Sequence, residues 1–246
     1  MATFDGMGYS TETEVKQAHL RMLLDMHLRV CKTVIEKFKA KPYYCFYDIN
    51  CGCGRDKDGN PGSPLIFLEV AEKHDCDYRA LFLDKKKIFI DSLIKEIGSD
   101  NLNVHIRHGE QESILPKYFP RDGKYRIGFL YTDPNGIANF DLLSAASRQR
   151  GFDKLDILIN CNAAAIKRYK GAFGGRKLIE HLREINKKYW VVREPVGCWQ
   201  WSMLIGTQWM DFPKLRECGF YDISSKRGME IFDRLNLTHE ELKCKQ

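Results

Sequence analysis

The sequence predicts an α/β fold, a mostly parallel sheet flanked by helices. Two observations carry this. Short apolar runs of strand length alternate with helical-period segments along most of the 246 residues, and such alternation builds parallel sheets through βαβ units. The first four runs also end in an acid or a glycine-acid pair: Asp48, Asp84, Gly109-Glu110 and Asp133. In a parallel sheet these ends share one edge, where open α/β folds bind ligands.

The elements follow in order. Residues 1–11 read as a polar arm. From Glu12 to Phe38 apolar residues recur at helical spacing (Val15, Leu20, Leu23, Leu24, Met26, Leu28, Val30, Val34, Ile35), which predicts a helix packed on the sheet. Tyr43 to Tyr47 is an apolar, aromatic strand. It runs through Asp48 into the turn Asn50-Cys51-Gly52-Cys53-Gly54. The charged stretch Arg55 to Gly62 is a loop. Ser63-Pro64 then reads as a helix start, serine as N-cap and proline at the first helical position, with Leu65, Leu68 and Ala71 on the packed side. Tyr78–Asp84 is a second strand, Lys85–Ile97 a helix, Leu102–Arg107 a third strand, Ile127–Asp133 a fourth and Phe140–Arg148 a helix. Leu155–Cys161 is a fifth strand, Arg176–Lys187 a helix, and Tyr189–Glu194 with Trp201–Thr207 two final strands. The last tryptophan-rich stretch reads as core and strand-edge packing. From Lys214 onward the chain is mixed and polar, with one helix candidate at Thr238–Lys243. This predicts one domain over 1–246: an arm and packing helix (1–40), a core sheet (41–210) and a C-terminal extension (211–246).

Composition narrows the class. With 43% hydrophobic and 29% charged residues this is a globular chain and not a disordered one. No apolar run reaches the roughly 20 residues of a membrane span, and the N-terminus lacks the basic-then-apolar order of a signal peptide. The expected place is the cytoplasm. Nine scattered cysteines, an odd number, fit packed thiols in a reducing compartment. Cys51-x-Cys53 is the closest pair, but its spacing and lack of a second pair argue against a metal site. The net charge of +6, from 39 basic and 33 acidic residues, is compatible with a polyanionic partner.

Strand, glycine turn and helix is an arrangement that holds nucleotide-like ligands. Glycines admit the ligand to the backbone, and loop amides and the helix start supply donors. Two ligand readings arise. For a dinucleotide oxidoreductase, Asp84 would hold ribose hydroxyls, but the loop lacks the third glycine of G-x-G-x-x-G. For S-adenosylmethionine (SAM), Asp48, Asn50, Gly52 and Gly54 would face the amino acid part, Asp84 the ribose diol, and Gly109-Glu110 the adenine. Asp133-Pro134-Asn135 would then act on a target amine: a side-chain oxygen and a backbone carbonyl accept its hydrogens, orient its lone pair and stabilise developing charge. The segment KRYKGAFGGR, with Lys167, Arg168 and Arg176, combines cations, aromatics and glycines, a mix suited to phosphates and stacked bases.

The stretch DINCGCGRDKDGNPGSPL resembles the strand, D-x-F-A-G-x-G loop and G-S-P-L helix start of the three-Cys-motif partner (TcmP) family. FLYTDPNG is similar to that family's strand-four D-P-x-G, and LDILINCNAAAIKRY to its next strand, with Asn160 and Lys167-Arg168 in place. The likeness spans roughly Glu12 to Tyr169. It implies a Rossmann-like class I methyltransferase fold: seven strands, mostly parallel, with a late antiparallel hairpin. It implies SAM as cofactor, with Asp48, Gly52, Gly54, Asp84 and Asp133-Pro134 in the matching places. The chain departs from the pattern at Asn50-Cys51, where the family has Phe-Ala. It also has Asn135-Gly136 where amino-methyltransferases of nucleic acids have proline and an aromatic. The expectation is a SAM-dependent methyltransferase acting on an exocyclic amine of DNA or RNA. The alternatives are a SAM- or nucleotide-binding partner protein without methyl transfer, and a methyltransferase for a small molecule or a protein.

Overall fold

The computed structural model describes residues 13–37, 43–98, 100–120, 125–163, 165–166, 176–195, 201–209 and 215–236. They group into two compact units, one up to Phe119 together with Tyr125–Tyr131, the other from Thr132 onward.

The first unit is built on four parallel strands, β1 (Tyr44–Asp48), β2 (Tyr78–Asp84), β3 (Val104–His108) and β4 (Ile127–Thr132), in the order β3-β2-β1-β4. β1 is central and buried along its whole length, which is why it reads as a continuous apolar run rather than an alternating one. Helix α1 (Thr13–Lys37) buries Leu20, Leu23, Leu24, His27, Leu28 and Cys31, one stripe at the three-and-four spacing. His27, the polar member of that stripe, hydrogen-bonds Tyr44 Oη through Nδ1 at 2.8 Å and stacks on Phe129 with centroids 3.7 Å apart. That anchors α1 to β1 and β4.

Helix α2 (Ser63–Lys73) differs from expectation in two ways. Its buried face is Pro64, Ile66, Phe67, Val70 and Ala71, not Leu65 and Leu68, which are half-buried. The stripe centres on Phe67, whose ring stacks on Phe46 at 4.4 Å; this large aromatic contact sets the roll of the helix. The capping position is also Gly62, with no side-chain cap, and Ser63 is the first helical residue. Helix α3 (Lys87–Ile97) buries Phe89, Ile90 and Leu93. After β3 come a short helix α4 (Gln111–Ile114) and a 3-10 turn (Leu115–Tyr118) that no sequence pattern announced.

In the second unit, helix α5 (Phe140–Ser147) is capped by Asn139, whose side chain accepts from the Leu142 N–H at 3.0 Å. The strands are β5 (Asp156–Asn162), β6 (Tyr189–Arg193), β7 (Trp201–Thr207) and β8 (Phe220–Asp222), in the order β5-β7-β6-β8 with every pair antiparallel. β7 inserts between β5 and β6, which is the expected late hairpin. Helix α6 spans Leu178–Glu184 and α7 spans Lys226–Asn236. In the tryptophan-rich stretch Trp201 is buried, as a packing residue should be, Trp209 is about half exposed, and Trp199 lies outside the described residues.

The described residues thus hold eight strands and not seven. β8 is a three-residue edge strand, too short for a hydrophobic run to reveal. Helix α7 was also missed, although Gly228, Ile231, Phe232 and Leu235 are buried at helical spacing; the charges between them hid the stripe. The candidate helix at Thr238–Lys243 lies outside the described residues. The strand orders 3-2-1-4 and 5-7-6, with the seventh strand antiparallel, are those of the Rossmann-like class I methyltransferase fold.

Candidate functional site

At the C-terminal end of β1 the chain meets three competing demands and satisfies each locally. Asp48 is fully buried, and a buried carboxylate needs donors. Asn50 N–H donates to Asp48 Oδ1 at 3.1 Å, and the Ser63 hydroxyl donates to Oδ2 at 2.6 Å. Ser63 therefore works as a donor to the strand-end acid and not as a helix cap. The loop itself hangs between neighbouring strands. Ile49 N–H donates to the Tyr131 carbonyl at 3.1 Å and Cys51 N–H to that of Leu83 at 3.0 Å.

Gly52 and Gly54 have φ of +67° and +91°, backbone values that residues with a Cβ adopt only under strain. Gly52 N–H donates to Asp84 Oδ2 at 3.2 Å, and Asp84 Oδ1 accepts from Lys86 N–H at 2.8 Å. Gly62 N–H closes the loop onto the Gly54 carbonyl at 2.7 Å. Asp84, at the end of β2, thus ties the glycine loop to the next helix start. A carboxylate has about four lone-pair sites, so these two bonds leave acceptor capacity for a ligand diol. Gly109 N–H donates to the Asp84 carbonyl at 3.1 Å, which brings the end of β3 to the same place. Glu110 is exposed and its carbonyl starts α4, accepting from Ser113 and Ile114. Next to it, Gln111 Oε1 is buried with no hydrogen-bond partner among the described residues. Sequence reasoning missed Gln111; its only signal was its place directly after Gly109-Glu110.

Asp48, Asn50, Gly52, Gly54, Asp84 and Gly109 are therefore brought together at one edge of the first unit, with Glu110 and Gln111 alongside. This edge is rich in acceptors. The cysteines in it are not reactive thiolates. Burial, then the charges of Asp48 and Asp84, push Cys51 well above its ordinary value, and burial raises Cys53.

Asp133 directly follows β4. Its Oδ1 accepts from Asn160 Nδ2, a buried amide on β5, at 2.5 Å. Pro134 is half-buried and Asn135 exposed. Arg176 pairs with Glu184 at 2.5 Å; that hydrogen bond raises the guanidinium and lowers the carboxyl. Lys167 and Arg168 lie outside the described residues.

No protein-family model matches this chain, and no curated protein matches it in sequence. The resemblance to the TcmP family thus stands on the quoted motifs alone. Solved structures match the fold. Protein LPL1258 from Legionella pneumophila has a TM-score of 0.51 at 14% identity, over 79% of this chain and 88% of that one. A human methyltransferase 10 domain containing protein has a TM-score of 0.48 at 12% identity, over 78% and 84%. The N-terminal domain of human METTL16, solved in complex with SAH, has a TM-score of 0.47 at 13% identity, over 78% and 71%. The chain thus shares the mixed α/β fold of LPL1258.

Proposed function

We propose that this chain is a SAM-dependent methyltransferase whose substrate is the exocyclic amine of a base in DNA or RNA. The observation that carries the cofactor assignment is the bond from Gly52 N–H to Asp84, which sets a positive-φ glycine loop between two strand-end acids. The polar periphery of SAM is rich in hydrogen-bond donors and positive charge: an ammonium, a sulfonium, a ribose diol and an adenine amine. Asp48, Asp84, Glu110 and the orphaned Gln111 Oε1 form a complementary set of acceptors. A dinucleotide fits less well, because its pyrophosphate would meet the buried Asp48 carboxylate.

In this reading Asp48, Asn50, Gly52 and Gly54 bind the amino acid end, Asp84 the ribose, and Gly109, Glu110 and Gln111 the adenine. Bound SAM supplies an electrophilic methyl group. Asp133 and the Pro134 carbonyl accept the hydrogens of the target amine, aim its lone pair and offset the positive charge that develops on nitrogen. Lys167, Arg168 and Arg176 would contact the nucleic-acid backbone; Arg176 would have to exchange Glu184 for phosphate.

Calorimetric titration with SAM, SAH and NAD tests this, with Asp84→Ala as control. Binding of SAM and SAH that the variant loses supports the assignment and leads to a labelled-methyl screen on DNA and RNA. Binding of NAD alone, or of none of the three, refutes it.

One observation favours a second reading, a SAM-binding partner protein that transfers no methyl group. Asn135 stands where amino-methyltransferases of nucleic acids carry the proline that precedes a base-stacking aromatic. Salt-sensitive binding to DNA or RNA, without methyl incorporation in the screen, would select this reading.

A further inference from the structure

Near the start of β5, three connections of the second unit meet on Asn186. Its backbone N–H and side-chain Nδ2 donate to the Ser147 hydroxyl and carbonyl at 2.8 and 3.3 Å, and its carbonyl accepts from Gln208 Nε2 at 2.8 Å. Lys187 Nζ donates to the Asp153 carbonyl at 2.8 Å, and Tyr189 of β6 pairs with Thr207 of β7. The turn after α5, the link from α6 to β6 and the chain leaving β7 are thereby laced into one surface.

Four exposed cations lie on these connections or border them: Arg148, Arg150, Arg183 and Lys188. None forms an ion pair among the described residues. Arg148 spends one N–H on the Glu184 carbonyl at 2.8 Å, which fixes its place. The carboxylates nearby are engaged: Glu184 with Arg176 at 2.5 Å, and Asp153 with Gly151 N–H at 3.1 Å and Lys154 Nζ at 3.8 Å. Left to themselves the four charges only repel one another; a polyanion neutralises all of them at once. Beside them, Trp209 follows β7 with its backbone N–H on Thr207 Oγ1 at 3.1 Å, and it is 49% exposed. Packing accounts for the buried Trp190 and Trp201 but not for a large ring left in water among cations.

We propose that this surface binds a single-stranded stretch of DNA or RNA. The three arginines and Lys188 take backbone phosphates, and the Trp209 indole stacks on an unpaired base. An acidic peptide would use the cations and leave the indole idle. A membrane surface calls for a whole apolar face beside the charges, and Trp209 is the one large apolar side chain exposed on these connections among the described residues. The inference stands on the second unit's own residues and holds whether or not the chain transfers a methyl group.

Fluorescence anisotropy of labelled thymidine and uridine oligomers of about 15 nucleotides tests it, with the full chain titrated between about 50 and 200 mM salt. Wild-type protein should bind, with affinity falling steeply as salt rises. Arg150→Ala combined with Arg183→Ala should weaken binding about tenfold or more and make the log–log salt slope shallower by about 1.4, two phosphate contacts at about 0.7 each. Trp209→Ala should weaken binding about fivefold to a hundredfold with the slope unchanged, because stacking releases no counterion. It should also lose the preference for a single strand over a duplex of equal length. All three positions are exposed, so the variants should melt within a few degrees of wild type. Trp209→Phe covers the case in which the alanine variant fails to fold, and should keep most of the binding. Asp84→Ala should lose SAM and bind the strand as wild type does, so this inference and the cofactor assignment fail separately. Unchanged affinity and slope in the surface variants overturn the inference. So does wild-type binding that is equal or tighter to polyglutamate or to phosphatidylserine vesicles, or no binding of either oligomer at the lowest salt.

Discussion

The Ser63 hydroxyl donates to Asp48 Oδ2 at 2.6 Å, joining the first turn of α2 to the end of β1 across the whole glycine loop. This bond makes the loop a closed unit: strand end, turn and helix start share one buried carboxylate. Removing the hydroxyl leaves that carboxylate with one donor fewer. Ser63→Ala should cost about 1–3 kcal/mol in urea denaturation, the range for an abandoned buried polar partner. Asp48→Asn separates folding from binding. The amide oxygen still accepts from Asn50 N–H, and its nitrogen meets the Ser63 oxygen, so stability should fall by only about 1 kcal/mol. The negative charge is lost, and calorimetric affinity for SAM should drop about tenfold or more. Unchanged affinity would reduce Asp48 to a structural role.

The two loop glycines should respond differently to alanine. Both have positive φ, which costs roughly 1–2 kcal/mol for an L side chain. At Gly52 an added Cβ meets nothing within 4 Å; at Gly54 it comes within 2.9 Å of Leu93 Cδ1 on α3. Gly54→Ala should therefore be the less stable variant. Gly52→Ala should cost the strain alone, and any larger fall in SAM affinity would mark that open face as the path of the ligand. Equal stabilities for the two variants would contradict this packing argument.

Asp133→Ala should abolish methyl transfer, by at least about a hundredfold, while SAM binds within a few-fold of wild type, because the lost acceptor acts on developing charge and not on the bound cofactor. A labelled-methyl assay and calorimetry on the same preparation check both halves. Full activity in the variant would remove Asp133 from the chemistry.

The legible parts of the sequence were those where one physical effect dominates. β1 and β2 are fully or largely buried, so burial wrote their apolar runs directly into the chain, and Asp48 and Asp84 stood out at their ends. Gly52 and Gly54 were legible because φ of +67° and +91° leaves little choice of residue. Ser63 misled because a serine before Pro64 fits a cap pattern equally well; only the fold shows Asp48 within its reach. Gln111 carries no pattern, since a polar residue becomes meaningful only once its burial is known, and Asn160 was marked only by the family likeness of its strand. β8 and α7 were lost because three residues are too few for a period and because dense charge masked Ile231, Phe232 and Leu235.

Away from the candidate site, Asp25 makes a pH-dependent clasp between α1 and the end of α2. Lys73 Nζ and His74 Nε2 donate to Asp25 Oδ1 at 2.7 and 2.9 Å, and Arg29 pairs with Oδ2. Partial burial alone would raise the carboxyl, but the bonds from Lys73 and His74 and the charge of Arg29 outweigh it, so it lies at about 2 instead of 3.8. A group depressed in the folded state contributes stability above its unfolded value and loses it as pH falls through its folded value. The clasp should be at full strength above pH 4 and fade between pH 4 and 2. Lys73 and Arg29 are largely exposed, so solvent screening holds the gain to about 1 kcal/mol. Asp25→Asn should thus destabilise the protein by about that amount at pH 6 to 7, with the gap to wild type narrowing toward pH 2. Urea denaturation of both proteins at three pH values across this window measures the gap directly, and a gap that stays constant would show that the charge of Asp25 plays no part in it.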